Sequence, residues 1–289
     1  MRLCIGGAQI SDNYGVSNKK GRINTNELYR IFDLSKQYKI KNIDTAYSYK
    51  DSFNRISILN KKFKFKINMK IEVGDKISHQ KKIFNRIEKI FNTLKAKNIY
   101  SIMIHDTKNF LNLRKNQKKK IIDKFNQLKK MNQIKKFGFS IYDENEIIKI
   151  NKFTNFDILQ MPINIFDQRS VNWKILNSLK KKKVEIHARS VFLQGIIFLK
   201  EYNIDKLFKK IEKKKIITFF REFPNKNERI LHSFNFVKNQ KFIDKIIIGI
   251  TSYDELKNNI CLFKKKNFYT DYKKFRISDE KIIKPYLWK

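Results

Sequence analysis

The chain of 289 residues is long enough for two average domains or for one α/β barrel of about 250 residues. Its 41% hydrophobic content, with 25 Phe and 12 Tyr, supplies apolar surface for a large core and excludes a disordered chain. The 65 basic and 27 acidic side chains give a net charge of +38, which taken alone favours nucleic acid or an anionic membrane as a partner.

The positive charge is spread along the chain. Lysine runs at 180–183, 213–215 and 264–266 lie at or near the ends of predicted helices, where cations interact favourably with the helix dipole. They are not accompanied by an aromatic-interleaved basic cluster or a nucleic-acid-reading motif. We therefore interpret them as solvated helix faces and predict no specific nucleic-acid partner, although a one-sided positive surface would favour the alternative.

Cysteine usage and hydropathy predict a soluble cytoplasmic protein. Cys4 and Cys261 are far apart and match neither a disulfide framework nor a metal-ligand spacing, which indicates a reducing compartment and no metal site. The sequence has no uninterrupted run of about 18 apolar residues, and its first ten residues lack the signals of a secretory peptide. We expect no membrane partner.

Short β-rich runs alternate with longer amphipathic runs along most of the chain, which predicts βα units and a parallel sheet. The predicted strands are Leu3–Gln9, Asn42–Thr45, Phe65–Ile71, Ile99–Ile104, Lys136–Ile141, Asp157–Met161, Val184–Ser190 and Lys245–Ile250. Eight strands are the number that a (β/α)8 barrel requires.

Helical spacing of apolar residues predicts helices over 25–39, with Thr25 as its cap, and over 78–97 and 115–131. The long connection at about 196–241 holds two further helical patterns, at 204–216 and 227–237, around the break at Phe223-Pro224. With 8 Gly and 3 Pro the chain shows no flexible linker. The sequence therefore predicts one α/β domain over 1–289, a (β/α)8 TIM barrel with an elaborated seventh βα connection.

Polar side chains recur at the carboxyl ends of these predicted strands, namely Asp44, Lys70, His105, Ser140, Gln160 and Arg189. Barrel enzymes place their active sites at this end of the barrel. We therefore expect these side chains to converge on one candidate site.

The segments around these residues resemble motifs of the aldo-keto reductase family. Residues 42–49, NIDTAYSY, resemble the family's I-D-T-A-x-x-Y motif, while 67–70 and 102–106 are similar to the strands that supply its lysine and histidine. Further similar segments are 9–18, 138–142, 159–164, 188–195, 248–259 and 283–288. Because their order is kept along the whole chain, the resemblance is specific although each short match alone is weak.

The resemblance implies an oxidoreductase that uses NADPH, or NADH, to reduce a small-molecule carbonyl. It assigns catalytic roles to Asp44, Tyr49, Lys70 and His105. It also implies cofactor binding by Ser140, Gln160, Arg189, Ser190, Gly249, Thr251, Ser252 and Asn259.

Carbonyl reduction by a nicotinamide hydride requires a proton donor at the developing alkoxide. A free tyrosine, with a pKa near 10, is a sluggish acid at neutral pH. Because a nearby ammonium favours the phenolate, Lys70 is expected to activate Tyr49, while Asp44 pairs with Lys70 and holds it in place. His105 is expected to orient the substrate carbonyl by hydrogen bonding.

Other residues compete for two of these roles. Tyr47 is a rival for Tyr49, and Lys64 and Lys66 are rivals for Lys70. The remaining histidines lack such a context, and we interpret them as structural: His79, His187 and His232.

Several positions depart from the family pattern. Lys50 stands where a glycine usually follows the tyrosine, and the later acidic and glycine positions of that segment are not evident at 51–57. Ile141 replaces an asparagine that many members place against the cofactor amide. Arg189 replaces an aromatic ring that many members stack on the nicotinamide, and a guanidinium plane is able to stack there instead.

The segments 14–18 and 189–195 resemble bacterial members associated with sugar and surface-polysaccharide metabolism, so we expect a sugar-derived aldehyde or ketone as substrate. The alternative is a non-catalytic cofactor-binding regulatory protein of the same fold. Loss of Tyr49 or Lys70 would have favoured that alternative, and both residues are present.

The distributed charge predicts weak binding of nucleic acid. We expect duplex DNA to bind with a Kd in the roughly 10⁻⁴–10⁻⁶ M non-specific range and to dissociate as salt is raised, because the attraction is purely electrostatic. Fluorescence anisotropy of labelled duplexes across a salt series measures this. A salt-resistant, sequence-selective complex would contradict the prediction.

Overall fold

A computed structural model of the chain describes residues 1–49, 51–74, 79–94, 99–209 and 211–288. Its parallel strands close into a barrel in sequence order, with the last strand paired to the first. The strands are β1 Leu3–Gly6, β2 Asn42–Ala46, β3 Lys66–Ile71, β4 Ile99–Ile104, β5 Lys136–Ser140, β6 Ile158–Pro162, β7 Glu185–Arg189 and β8 Lys245–Ile248. The predicted (β/α)8 barrel is confirmed.

Helices follow the strands and cover the outside of the barrel. They are α1 Ala8–Ser11, α2 Thr25–Gln37, α3 Ser52–Phe63, α4 His79–Leu94, α5 Thr107–Asn112, α6 Lys115–Lys130, α7 Glu144–Asn151, α8 Ile175–Lys181, α9 Glu201–Leu207, α10 Lys213–Glu222, α11 Lys226–Lys238, α12 Tyr253–Lys264 and α13 Glu280–Ile283. Short 3₁₀ turns lie at Arg169–Asn172, Leu193–Phe198, Lys273–Phe275 and Pro285–Leu287. In the described part of the chain, none of the helices has the length and apolarity needed to cross a membrane.

The apolar stripes predicted for the helices face the barrel. In α6, Ile121, Ile122, Phe125 and Leu128 are buried, as their spacing predicts. The predicted helix over 78–97 corresponds to α4, while residues 78 and 95–97 lie outside the described residues.

The first long helix is capped differently from the prediction. Asn24, not Thr25, precedes α2, and its side-chain oxygen accepts a hydrogen bond from the Glu27 N–H at 2.8 Å. Thr25 is the first helical residue. Asparagine is as good a cap as threonine or better, so the cap lies one residue earlier than predicted.

Several predicted strands are too long at their carboxyl ends. The first ends at Gly6, because Gly7 adopts a helical conformation and leads directly into α1. The last ends at Ile248, ahead of Gly249. The barrel rim therefore begins earlier than the apolar runs indicate.

The seventh connection contains α9, α10 and α11. The helix predicted over 227–237 is confirmed by α11, whereas the continuous helix predicted over 204–216 is wrong. Phe208 leaves the helical conformation, with φ −127° and ψ 123°, and packs edge-on against Trp288 at 5.3 Å between ring centroids. Burial of this ring against the C-terminal segment therefore outweighs continuation of the helix.

Close strand packing in the barrel depends on a glycine in β5. A Cβ on Gly138 would lie 1.7 Å from the backbone oxygen of Ile158, and these two residues are paired across β5 and β6. No side chain fits at that separation without moving one of the two strands.

Gly138→Ala is therefore expected to lower the free energy of unfolding by about 3 kcal/mol or more, because the strand backbones have to separate. Gly21→Ala is the control, since its Cβ meets no atom within 4 Å and only the φ of +71° is unfavourable. That backbone strain costs about 1–2 kcal/mol. Urea denaturation of both variants compares them, and equal losses would contradict the packing argument.

Candidate active site

One cavity opens at the carboxyl ends of the strands. Its wall includes nine of the predicted site residues, namely Asp44, Tyr49, Lys70, His105, Gln160, Arg189, Ser190, Gly249 and Thr251. The other three, Ser140, Ser252 and Asn259, are buried residues outside the described cavity wall. The structure therefore brings together all four predicted catalytic residues and five of the predicted cofactor-binding residues.

The centre of the site is a buried ion pair between Lys70 on β3 and Asp44 on β2. Lys70 also donates to Gln160 Oε1 at 3.2 Å, and Gln160 Nε2 donates to Asp44 Oδ1 at 2.7 Å. These three side chains form a closed set of hydrogen bonds and are at most 3% exposed. Gln160, predicted to bind the cofactor, thus contacts the ion pair in this structure.

Lys70 remains cationic despite its burial. Burial favours the neutral amine, but attraction to Asp44 and Tyr49, together with the hydrogen bond to Asp44, outweighs it and raises the pKa of Lys70. The site therefore holds a fixed ammonium at neutral pH.

Tyr49 lies beside this ammonium, with Lys70 Nζ 5.3 Å from the centre of its ring. The His105 ring meets Tyr49 edge-on at 5.9 Å between ring centroids, and Tyr14 lies on another side at 6.4 Å. The rival Tyr47 instead stacks on Phe53 at 5.7 Å. The geometry therefore favours Tyr49 as the tyrosine of the site.

The rival lysines lie elsewhere. Lys64 is exposed at the end of α3, and Lys66 is exposed at the start of β3 with its ammonium 5.0 Å from the Tyr100 ring centre. Only the carboxyl end of β3, where Lys70 lies, opens into the cavity. The geometry therefore favours Lys70.

A carboxylate that the sequence analysis missed lies behind His105. Glu72 Oε1 is 2.7 Å from His105 Nδ1, and the Ser48 hydroxyl donates to the same oxygen at 2.5 Å. Burial opposes the carboxylate, but the hydrogen bonds from His105 and Ser48 outweigh it and lower the pKa of Glu72. The sequence does contain a signal for this residue: Glu72 is two residues after Lys70, and side chains at that spacing in a strand lie on the same face.

Arg189 forms another wall of the cavity. Its guanidinium lies over the Tyr142 ring at 4.1 Å and donates to the Ile141 carbonyl at 3.0 Å. Tyr286, from the C-terminal segment, packs edge-on against Tyr142 at 4.7 Å. Arg189, which stands where many family members have an aromatic ring, thus places a guanidinium stacked on Tyr142 in the cavity wall.

Two loops meet across the mouth of the cavity. Gln194 Nε2 donates to the Tyr14 hydroxyl at 2.8 Å, and the Val16 N–H donates to the Gln194 carbonyl at 3.0 Å. Gly195, with φ +95°, permits this approach because a Cβ there would lie 2.1 Å from Ser17 Oγ. The first and seventh loops therefore form one wall.

The cavity continues to the N-terminus of α12. Glu255 Oε2 accepts hydrogen bonds from the Thr251 N–H at 2.8 Å and from its hydroxyl at 2.7 Å. Ser252 caps the helix by accepting from the Glu255 N–H at 3.2 Å. A helix N-terminus with free hydroxyl and amide donors suits nucleotide oxygens, but here Glu255 engages the Thr251 donors.

A dinucleotide cofactor fits the residues present. Both amide atoms of Asn259 on α12 are buried without a hydrogen-bond partner among the described residues. Such an orphaned amide favours a polar ligand that completes its hydrogen bonds. Close to the rim, Gly249 leaves room for Gln9, whose Nε2 would lie 2.4 Å from a Cβ at that position.

Among the described residues, no three His, Cys, Asp or Glu side chains are grouped closely enough to hold a metal ion.

The barrel resembles solved aldo-keto reductase structures. It superimposes on an aldo-keto reductase from Bacillus halodurans, in its holo form, with a TM-score of 0.68, 16% identity and coverage of 95% of this chain and 90% of that chain. It superimposes on a glycerol dehydrogenase from Gluconobacter oxydans with a TM-score of 0.66, 16% identity and coverage of 94% and 89%. At these identities the likeness shows the fold alone.

Sequence comparison identifies the family. No curated protein gives a significant match to the chain. The model of the aldo/keto reductase family, however, matches residues 2–276, which is nearly the whole chain. The protein therefore belongs to the aldo/keto reductase family.

Proposed function

We propose that this chain is a working NADPH-dependent carbonyl reductase, able also to use NADH, with Tyr49 as the proton donor. The observation that carries the proposal is the buried Asp44–Lys70 pair beside Tyr49 and His105 in one cavity. A buried ion pair is a poor source of stability, so its presence in the cavity favours a chemical role.

In the proposed reaction, Tyr49 gives its phenolic proton to the oxygen of the reduced carbonyl. When bound, the nicotinamide cofactor supplies the hydride that adds to the carbonyl carbon. The Lys70 ammonium stabilises the phenolate that remains, while Asp44 and Gln160 fix the position of the ammonium. His105 holds the carbonyl oxygen near Tyr49.

The cofactor is proposed to lie along the cavity from this centre to α12. The candidates for the nicotinamide end are Gln160, Arg189 and Ser190 in the cavity wall and the buried Ser140. Those for the nucleotide end are Gly249 and Thr251 in the wall, with Ser252 and Asn259 buried outside it. The unpartnered amide of Asn259 supports the second assignment.

The cavity that holds the reacting centre has many polar side chains in its wall, which suit a hydroxylated substrate. Besides the catalytic residues, it contains the polar side chains of Gln9, Tyr14, Ser17, Asn18 and Gln194. Such groups pair with substrate hydroxyls and discriminate against purely apolar carbonyls, which would leave them without partners. We therefore propose a sugar-derived aldehyde or ketone. The free thiols of Cys4 and Cys261 support a reducing, cytoplasmic setting for this reaction.

Tyr49→Phe is expected to lower kcat for aldehyde reduction by roughly 10²-fold or more, because the variant cannot transfer the phenolic proton. Cofactor binding is expected to persist. Loss of NADPH absorbance with a panel of sugar-derived and simple aldehydes measures turnover, and fluorescence titration measures binding.

Tyr47→Phe is the matched control, since it removes the rival hydroxyl while leaving a ring to stack on Phe53. Near-normal turnover in Tyr49→Phe together with loss in Tyr47→Phe would overturn the assignment. No turnover of any carbonyl by the unaltered protein would contradict the proposed activity.

Cofactor preference is expected to be modest, with NADPH bound less than about tenfold, or 1.4 kcal/mol, more tightly than NADH. The stretch 249–255 offers no basic side chain, and Asp254 and Glu255 disfavour a doubly charged 2′-phosphate. The adjacent surface does carry Lys19, Lys20 and Lys226, which compensate in part.

Fluorescence titration with both nucleotides gives the two dissociation constants. Glu255→Gln is expected to strengthen NADPH binding while leaving NADH binding nearly unchanged, because it removes the negative charge at the Thr251 donors. A preference for NADPH beyond a hundredfold in the unaltered protein would contradict the prediction and would require a lysine that closes over the phosphate.

A further inference from the structure

His105 and Glu72 form a pair that the proposed mechanism has not yet used. The two side chains are 28% and 22% exposed, and Nδ1 lies 2.7 Å from Oε1. The other carboxylate oxygen of Glu72 lies 4.0 Å from the Arg86 guanidinium on α4. The pair is thus partly buried and held in place from both sides.

This contact restricts which hydrogens the His105 ring carries. Glu72 is a carboxylate at neutral pH, because its pKa is lowered although burial opposes the charge. A carboxylate only accepts hydrogen bonds, so Nδ1 has to carry a hydrogen. In the neutral ring Nε2 would then carry none, and His105 could not donate to a carbonyl oxygen. Only the imidazolium donates from both nitrogens.

We propose that Glu72 is a positioning residue that keeps His105 in the imidazolium form, with Nδ1–H bound to Glu72 and Nε2–H free to donate to the substrate carbonyl. The inference rests on the proposed function of carbonyl reduction. His105 keeps its proton throughout, while Tyr49 transfers its own proton. The charged donor polarises the carbonyl more strongly than a neutral ring would.

The other charged groups around His105 do not replace Glu72. Lys70 and Arg189 line the same cavity and oppose a further cation, although Asp44 offsets Lys70.

The neighbouring carboxylate, Asp106, is engaged elsewhere. It accepts hydrogen bonds from the backbone N–H groups of Val73 and Gly74 at 2.8 and 3.3 Å, and from Asn109 at 3.0 Å. On the other sides of His105, Tyr49 presents a neutral ring and Arg86 weakens the effect of Glu72. Within the described surroundings of the ring, Glu72 is therefore the carboxylate that stabilises the imidazolium by direct contact.

Nuclear magnetic resonance of ¹⁵N-histidine-labelled protein, without cofactor or substrate, tests the pair directly. The chain has only four histidines, and the His105 signal is assigned by its loss in His105→Gln. In Glu72→Gln the pH midpoint of His105 is expected to fall, with a loss of proton affinity of up to about fivefold, because a partly exposed ion pair is removed.

Two controls accompany this titration. Glu88→Gln removes a carboxylate from the exposed face of α4 and is expected to leave the His105 midpoint unchanged. His187 contacts its own carboxylate, Glu185, at 2.7 Å, so its signal is expected to stay constant in both variants and to report that the barrel is intact. Glu72→Asp keeps the negative charge. Its pH midpoint for His105 is therefore expected to lie between those of Glu72→Gln and the unaltered protein.

The kinetic consequence is a shift in pH dependence. For carbonyl reduction, the alkaline decline of kcat/KM is expected to move to lower pH in Glu72→Gln by the same interval as the midpoint. If Glu72 had only a structural role, Glu72→Gln would lower kcat/KM by the same factor at every pH.

Coincident His105 titration curves in the unaltered protein and in folded Glu72→Gln would overturn the inference. Failure of the unaltered protein to reduce any carbonyl would overturn the proposed function instead. The two results are distinguishable because the titration requires neither cofactor nor turnover.

Discussion

The buried ion pair of Asp44 and Lys70 is the interaction on which the candidate site depends. Removing two charges from water costs several kcal/mol per ion, and their attraction offsets this only with good geometry and satisfied hydrogen bonds. Here Gln160 donates to one partner and accepts from the other. Because the three residues lie on β2, β3 and β6, the pair also ties opposite sides of the barrel rim to one ammonium position. In the proposed reaction, this fixed ammonium would need no reorganisation when the Tyr49 phenolate forms.

Barrel closure explains why these residues meet. Strand pairing sets Ala46 opposite Lys70 and Ile71 opposite Ile104, so Glu72 and His105, which directly follow the ends of β3 and β4, emerge side by side. The His105 N–H also donates to the Ile71 carbonyl at 2.9 Å. The contact between Glu72 and His105 is therefore a consequence of register, and a long flexible loop would not hold it as closely.

Local periodicity and long-range contacts together explain how far the structure could be predicted from the sequence. Eight alternating βα patterns follow from local periodicity. The barrel, and the positions of Asp44, Lys70 and His105 at its rim, could therefore be predicted from the sequence. Glu72 was not recognised, because no motif marks it and its partner is fixed by register between strands. The broken helix near Phe208 was missed for a related reason, since its ring packs on Trp288, eighty residues later in the chain. In both cases the deciding contact joins residues that are far apart in the chain.

The overall charge of +38 and the charge of the site act over different distances. Screening at physiological salt reduces interactions between exposed charges beyond about 8 Å, so surface lysines attract any anionic nucleotide without distinguishing NADPH from NADH. Discrimination has to come from short-range contacts, and Glu255, bound to the Thr251 donors at 2.7 and 2.8 Å, is the charge closest to them. A strongly basic chain is therefore compatible with the weak cofactor preference proposed above, because bulk charge would accelerate encounter with either nucleotide while the proposed role of Glu255 is to set the preference.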